Sequence, residues 1–177
     1  MRNRKFGTSV APFRGMNKRL SNLCLPILAA MLMSTGAAAA DRFAYSAAMQ
    51  QVDSGNYYVH GDFGNGVETD FLVDTGSGYV ALSRQTFKRL ERDTTVNYLR
   101  EITGRMANGK LLRVPVYRVA SLKLGDSCTL TDIEVTVMPD GDRNILGLSA
   151  LRKAQPFAMQ LSPPVLLLSN CGSEPVT

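Results

Sequence analysis

The stretch FLVDTGS at residues 71–77 places one acid, Asp74, directly after three apolar residues. An ionised carboxylate is costly to bury unless its surroundings supply partners. Thr75, Gly76 and Ser77 follow it; they are small or carry a hydroxyl group, and Gly76 permits a tight backbone turn. The pattern indicates a strand that delivers one acid to a tight loop. Taken alone, it is more typical of a strand-end Asp that caps a turn than of a catalytic group.

A lone acid is a poor catalyst for cleaving a peptide bond without a nucleophilic side chain or a metal ion. That reaction needs a base to activate water and an acid for the carbonyl oxygen, and two adjacent carboxylates do both because repulsion keeps one proton shared between them. No second Asp-Thr-Gly or Asp-Ser-Gly follows Ser77, and Asp53-Ser54-Gly55 lacks large aliphatic residues before it. A chain of 177 residues is also too short to contain a second domain that carries another loop of this kind. If Asp74 does this chemistry, the second carboxylate has to come from a second copy of the chain, which would form a homodimer about a twofold axis.

Short apolar and aromatic runs separated by turn residues indicate a chain rich in β-strands. The predicted strands cover residues 57–63, 67–73, 79–82, 120–124, 133–138, 157–161 and 165–168. Two hairpins are predicted, one turning at Gly64-Asn65-Gly66 and the other at Asn108-Gly109. Ser83 is placed to cap a helix over 84–90, and 148–153 indicates a second short helix. The pattern favours a compact β-barrel or sandwich.

The first forty residues have the composition of an export signal. Six bases and no acid lie within residues 1–19, and a mostly apolar run over 20–40 ends in four alanines. These features predict a secretory signal peptide cut between Ala40 and Asp41, and hence a periplasmic or secreted protein. An uncleaved membrane anchor is the alternative, although the apolar run is short for a membrane span. Met16 would give a more ordinary start than Met1, so either residue is a candidate start.

Removal of this segment changes the charge of the protein. The whole chain has 20 Lys and Arg against 15 Asp and Glu, and the loss of six bases leaves a net charge of −1 over residues 41–177. Nucleic-acid binding therefore loses its main support. The remaining length suits one domain with its own core. Cys128 and Cys171 could pair in an oxidising compartment, and two free or buried thiols are the alternative.

Other chemistries fit the sequence less well. A metal site needs several ligating side chains, and His60 is the single histidine, for which a packed or surface role is expected. The stretch from Gly147 to Leu151 lacks the closing glycine of a serine-hydrolase elbow. The glycines near residues 64–66 and 76–78 are typical of turns, because neither stretch has the spacing of a dinucleotide-binding loop.

Three features together resemble an aspartic protease. Residues 71–77 resemble the active-site loop of that family, in which apolar residues precede Asp-Thr-Gly and Ser or Ala follows. The Asn108-Gly109 hairpin sits where the family has its flap, and Ile145-Leu146-Gly147 resembles the apolar-apolar-Gly stretch that crosses behind the catalytic loop. The order is similar to that of single-domain, retroviral-type (retropepsin-like) proteases, and most similar to bacterial secreted or membrane-anchored members. The resemblance covers about residues 55–161.

The resemblance implies an all-β fold, a small closed β-barrel of the retropepsin type with one or two short helices. Residues 41–54 would form an N-terminal extension, and 55–177 the protease domain. Asp74 would be the catalytic acid of each subunit. Thr75 and Gly76 would shape the loop, with Thr75 bonded across to the partner loop, and the Ser77 hydroxyl is expected to bond the carboxylate.

The resemblance also implies where a polypeptide substrate binds. The hairpin from about 103 to 114 would close over an extended peptide as a flap, with contacts predicted at Met106, Ala107, Asn108, Gly109 and Val80. Support for the active-site loop is expected from a second set of residues, Ile145, Leu146 and Gly147. No metal or other cofactor is implied.

The apolar strand at residues 165–168 has two possible roles, since it is too apolar for a free tail. It either helps to bury the subunit interface, as terminal strands do in the retroviral relatives, or packs on its own barrel. The sequence thus predicts an aspartic endopeptidase active as a homodimer. The alternative is a non-catalytic dimeric periplasmic module on the same fold that binds peptides or assists assembly.

Overall fold

The computed structural model describes residues 42–52, 55–106, 108–139 and 141–172. The predicted signal peptide, the Ala40–Asp41 junction and Ala107 lie outside these residues. Ten strands and two helices are found in the described part of the chain. They are β1 (Tyr45–Val52), β2 (Asn56–Asp62), β3 (Glu68–Val73), β4 (Val80–Ser83), α1 (Arg84–Asp93), β5 (Val96–Arg105), β6 (Leu111–Leu124), β7 (Cys128–Met138), β8 (Asn144–Leu146), α2 (Leu148–Leu151), β9 (Phe157–Leu161) and β10 (Pro164–Leu168).

The strands join in the order β5-β6-β7-β4-β8-β3-β2-β1-β10-β9. β6 also pairs with β2, through Gly61 with Leu124 and Asp62 with Lys123. This short pairing closes β6, β7, β4, β8, β3 and β2 into a ring, while β5 lies outside the ring on β6. The predicted all-β fold with one or two short helices is confirmed, and the predicted barrel is present as a ring of six of the ten strands found in the described residues.

The interior of the barrel is filled by apolar side chains from strands that are far apart in the sequence. Phe71 on β3, Leu82 on β4, Leu122 on β6, Ile133 on β7 and Leu146 on β8 are all completely buried. Each such side chain contributes roughly 1.5–3 kcal/mol to the free energy of unfolding by leaving water. The strand that ends at Asp74 is therefore held in a packed core rather than at a free edge.

Helix α1 begins as the sequence predicts. The Ser83 side chain accepts a hydrogen bond from the Thr86 backbone N–H at 3.1 Å, which satisfies one of the free donors of the first turn. The buried residues Phe87 and Leu90 attach the helix to the barrel. In the part of the chain that the structure describes, neither helix is long and apolar enough to cross a membrane.

Strand β1 lies inside the predicted N-terminal extension, where the sequence analysis predicted no strand. It pairs with β2 on one side and with β10 on the other. Its alternating pattern is weak because only Ala47 and Met49 are buried among eight residues. Cross-strand partners, rather than local hydrophobicity, therefore define this strand.

The C-terminal apolar segment packs on its own chain. β10 pairs with β1 and β9, and the side chains of Leu166 and Leu168 are completely buried. Of the two predicted roles, packing on its own barrel is the one seen in a single chain. Val165 and Leu167 on the alternate face are half-buried.

The open question about the two cysteines is settled in favour of a disulfide. Cys128 at the start of β7 is bonded to Cys171, which follows β10, across a sequence separation of 43 residues. The bond links the last part of the chain to the barrel. A cross-link over a loop of this length stabilises a domain by about 3–4 kcal/mol, because it restricts the unfolded chain.

Candidate active site

The acid at the centre of the site is delivered by a parallel pair of strands. β3 and β8 run side by side, with Leu72 opposite Ile145 and Val73 opposite Leu146. The Asp74 backbone N–H continues this pairing and donates to the carbonyl oxygen of Leu146 at 3.2 Å. Asp74 is therefore fixed at the end of β3 by its backbone, while its side chain remains half-exposed.

The turn after Asp74 orients the carboxylate. The Gly76 backbone N–H donates to Asp74 Oδ1 at 2.8 Å, and the Ser77 N–H donates to the Asp74 carbonyl oxygen at 3.2 Å. A Cβ atom on residue 76 would lie only 3.1 Å from that same Oδ1. Glycine thus lets the loop close around its own acid, as the sequence predicts.

The two hydroxyl groups of the loop behave differently from each other. The Ser77 hydroxyl donates to the Tyr79 carbonyl oxygen at 2.8 Å, so the expectation that it bonds the Asp74 carboxylate is wrong for a single chain. Thr75 is exposed, and within the described residues its hydroxyl has no hydrogen-bond partner. Ser77 therefore fixes the exit of the loop, and Thr75 stands free on its outer side.

The loop is supported from behind by the start of α2. A Cβ atom on Gly147 would lie 2.1 Å from the Tyr79 carbonyl oxygen and 2.8 Å from that of Ser77. The next residue, Leu148, donates its N–H to the Ser77 carbonyl oxygen at 2.9 Å. Of the three residues predicted to support the loop, Leu146 and Gly147 contact it through their backbone, and Ile145 pairs with Leu72 and Ala81 in the strands on either side of it.

Ser149 extends this support to a third strand. Its hydroxyl accepts a hydrogen bond from the Val80 backbone N–H at 2.9 Å and donates to the Glu134 carbonyl oxygen at 2.7 Å. One hydroxyl group therefore ties the exit of the active-site loop to β7.

The predicted flap is a regular hairpin formed by β5 and β6. At its tip the Met106 N–H donates to the Lys110 carbonyl oxygen and the Gly109 N–H to that of Met106, both at 2.8 Å. The Asn108 side chain accepts from the Lys110 N–H at 3.0 Å, and Gly109 has a positive φ of 82°. Asn108 and Gly109 are exposed and Met106 is half-buried, so the tip is available for contact with a ligand.

A cluster centred on Arg100 attaches the hairpin to the barrel. The guanidinium group binds both carboxylate oxygens of Glu134 on β7, at 2.7 and 3.1 Å, and also donates to the Tyr79 hydroxyl at 3.1 Å. The hydrogen bond from Arg100 lowers the pKa of Glu134, against a smaller opposing effect of burial. Hydrogen bonds to Glu134 and then Tyr79 raise the pKa of Arg100 further above its ordinary value. The cluster links the strand that carries the flap to the residues that follow the active-site loop.

The sequence of this chain matches a known protein family. Residues 64–153, just over half of the chain, match the sequence profile of the family described as "gag-polyprotein putative aspartyl protease". The match contains the Asp74 loop, the hairpin and Gly147. The chain belongs to this aspartyl protease family.

The structure is also similar to a crystal structure of a retropepsin-like aspartic protease from Rickettsia conorii. The two share 21% sequence identity, the match covers 71% of this chain and 89% of that chain, and the TM-score is 0.48. A comparison with curated proteins finds no significant sequence match.

In this member of the aspartyl protease family, one predicted substrate contact is wrong. Val80 was expected to line the substrate site, but its side chain is completely buried in the barrel core. All four residues of β4 are buried, because the strand lies between β7 and β8. Among the other predicted contacts, Met106, Asn108 and Gly109 lie at the hairpin tip and Ala107 is outside the described residues.

Four polar residues of the aspartyl protease site were missed by the sequence analysis. They are Tyr79, Arg100, Glu134 and Ser149. Glu134 gave a usable signal, because an acid between Ile133 and Val135 in a strand must point away from the core. Arg100, the partner of Glu134, gave no such signal, because their contact depends on the register of β5, β6 and β7.

Side chains that could bind a metal ion are scattered over the described residues. In the described parts of the chain, no group of three or more His, Cys, Asp or Glu side chains is placed to hold a metal ion. His60 lies on the surface, with its ring nitrogens 3.1 Å from Asp70 and 3.7 Å from Glu68. Its surface role agrees with the sequence analysis.

Proposed function

We propose that this protein is an aspartic endopeptidase in which two Asp74 carboxylates, one from each subunit of a homodimer, activate a water molecule. The observation that carries the proposal is the Asp74 loop itself. The acid is fixed by its backbone to β8, its carboxylate is oriented by the Gly76 N–H, and its side chain stays half-exposed. Membership of an aspartyl protease family supports the same chemistry.

The homodimer follows from the number of acids that the mechanism needs. One carboxylate of the pair removes a proton from water while the other, protonated, donates to the peptide carbonyl oxygen. Each chain supplies one Asp-Thr-Gly loop, so a twofold axis beside Asp74 brings two identical loops together. The free hydroxyl of Thr75, on the outer side of the loop, would bond the partner loop across this axis.

The substrate is proposed to be an extended polypeptide. A peptide lying between the Asp74 loops and the hairpin would bind as an added strand through main-chain hydrogen bonds. The hairpin tip, with Met106, Asn108 and Gly109 accessible, would cover it. The hydrogen bonds from Arg100 to Tyr79 and Glu134 would fix the distance between the hairpin and the Asp74 loop.

The test is peptide cleavage by the purified protein from Asp41 onward. A peptide library is incubated at several acidic pH values, with and without an inhibitor whose hydroxyl mimics the transition state, and the products are identified by mass spectrometry. We expect inhibitor-sensitive cleavage that falls by at least about 10³-fold in Asp74→Asn, because an amide keeps the shape but cannot exchange the proton. Folding and dimer formation of the variant, followed by circular dichroism and sedimentation, should remain unchanged.

Two results would contradict the endopeptidase. Substantial activity in a clean Asp74→Asn preparation would exclude Asp74 as the catalytic acid. Tight peptide binding without turnover at any pH would instead favour a non-catalytic peptide-binding or assembly module.

We also propose that the protein is exported to the periplasm or secreted. The basic and apolar segment before Asp41 supports export, and the Cys128–Cys171 disulfide suits an oxidising compartment. N-terminal sequencing of protein from the extracytoplasmic fraction should begin near Asp41. Retention of the segment would indicate a membrane-anchored form, and a soluble cytoplasmic form starting at Met1 or Met16 would contradict export.

A further inference from the structure

An open cleft of about 580 Å³ lies directly beside the active-site loop. Gly78 and Tyr79, which follow the loop, form part of its lining, and Ser149 at the start of α2 forms another part. Arg152 and Lys153 reach the cleft from the end of α2. The cleft therefore begins where the catalytic loop ends.

The residues that line the cleft have a net positive charge, in contrast to residues 41–177 as a whole. Three bases line it, Arg118, Arg152 and Lys153, against two acids, Asp132 and Glu134. The carboxylate of Glu134 is already held at both oxygens by Arg100, outside this set of three bases. One acid is then left to balance three cations, in a chain whose residues from 41 onward have a net charge of −1.

The three bases are free to bind a ligand. Arg118 lies directly opposite Glu134 across β6 and β7, yet the carboxylate is hydrogen-bonded to Arg100 and not to Arg118. Within the described residues, none of the three side chains forms a hydrogen bond or ion pair, and all three are exposed. Arg118, Lys153 and Glu134 all line this cleft, and after the larger effects of Arg100 the charges of Arg118 and Lys153 also lower the pKa of Glu134.

We propose that this cleft is a subsite for an acidic side chain of the peptide substrate, so that peptides with Asp or Glu near the scissile bond are preferred. The inference rests on the proposed endopeptidase function. Gly78 and Tyr79 follow Asp74 by four and five residues, so their distance from Asp74 is within the span of an extended peptide of similar length, which advances about 3.3 Å per residue. A carboxylate there would form charge-assisted hydrogen bonds with the three cations and relieve their mutual repulsion. The small number of cations and the acidic balance elsewhere favour an acidic peptide over a nucleic acid.

The test compares matched peptides and matched variants. A neutral peptide that the enzyme cleaves is resynthesised with Glu or Gln at each position around the scissile bond, and the ratio of kcat/KM for the Glu peptide to the Gln peptide is measured. Wild-type protein should show a ratio of about tenfold or more at one position. The triple variant Arg118→Gln, Arg152→Gln, Lys153→Gln should bring this ratio close to one. Lys88→Gln on α1, a change of the same kind at an exposed site, should leave it unchanged.

Binding without turnover separates the subsite from the catalytic proposal. Fluorescence anisotropy of labelled Glu and Gln peptides is measured on Asp74→Asn protein, with and without the triple substitution. Tighter binding of the Glu peptide, lost in the triple variant and weakened by salt, supports the subsite even if no peptide is cleaved.

Three outcomes would overturn the subsite. Equal kcat/KM for the Glu and Gln peptides at every position would do so while leaving the endopeptidase intact. A preference that survives the triple substitution would place the acid elsewhere. Cleft-dependent binding of a single-stranded oligonucleotide, without binding of the acidic peptide, would assign the cations to nucleic acid.

Discussion

The active-site loop at residues 74–77 and the hairpin tip at 106–110 are both short connections, but the chain holds them in different ways. The loop is bonded to elements that are distant in sequence, through Leu146 and Leu148, and Gly147 packs directly against it. The tip is bonded mainly to itself, through hydrogen bonds between Met106, Asn108, Gly109 and Lys110.

The strands next to these two regions differ in how many of their residues are buried. All four residues of β4, which leaves the active-site loop, are buried. None of the ten residues of β5, which leads to the hairpin tip, is buried. Segments with few buried contacts open at lower free energy than core strands. The Asp74 loop is thus followed by a packed strand, whereas the strand that leads to the hairpin tip is one expected to open more easily.

A matched pair of glycine substitutions gives the largest expected difference between the two regions. In Gly147→Ala the new methyl group would lie 2.1 Å from the Tyr79 carbonyl oxygen, so the loop must shift. We expect a loss of about 3 kcal/mol or more in the free energy of unfolding, and at least about 10²-fold in kcat/KM. In Gly104→Ala on β5 the nearest atom is 4.0 Å away, and the free energy of unfolding should change by less than about 1 kcal/mol. Urea unfolding and peptide kinetics measure both.

Equal destabilisation by the two substitutions would break the comparison. It would mean that the hairpin is packed as tightly as the catalytic loop, in spite of its exposure.

A smaller effect is expected at Arg100 and Glu134, the ion pair that connects β5 of the hairpin to β7. Since Arg100 lowers the pKa of Glu134 in the folded state, the ion pair stabilises the protein above the unfolded-state pKa of Glu, about 4.3, and this contribution is lost as the pH falls through the lower folded-state value. Glu134→Gln should therefore lower the melting temperature by at most a few degrees at pH 7, with a difference that disappears in strong acid. Thermal melts at pH 7 and at successively lower pH, down to strong acid, measure the effect.

A kinetic measurement tests whether the Arg100–Glu134 pair positions the hairpin, apart from its effect on the stability of the fold. Arg100→Lys keeps the charge but loses the two-oxygen grip on Glu134. It should raise KM more than it lowers kcat if the cluster only positions the hairpin over the substrate. A loss confined to kcat would contradict that role.

Local signals in the sequence predicted the parts of the site that depend on neighbouring residues. Asn108-Gly109 predicted the hairpin turn, Ser83 predicted the helix cap, and the apolar run before Asp74 predicted the strand that delivers the acid. Each of these features is specified within a few residues, so a single sequence is enough to find them.

Features that depend on strand register were beyond the sequence. β1 is defined by its partners β2 and β10 rather than by its own pattern. Val80 was predicted to line an apolar substrate pocket, but its position on β4 buries its side chain in the core. The contact between Arg100 and Glu134 spans 34 positions and two strand pairings, which no local pattern encodes.

Subunit mixing tests the shared site most directly. Wild-type protein and Asp74→Asn are mixed in equal amounts and allowed to exchange subunits, at a concentration where sedimentation shows dimers, and peptide cleavage is compared with that of the same total amount of wild-type protein. If each active site needs Asp74 from both subunits, random exchange leaves about one quarter of the activity, because only that fraction of the dimers has two wild-type chains. Retention of about one half would mean that each chain works alone, and would contradict the shared catalytic pair.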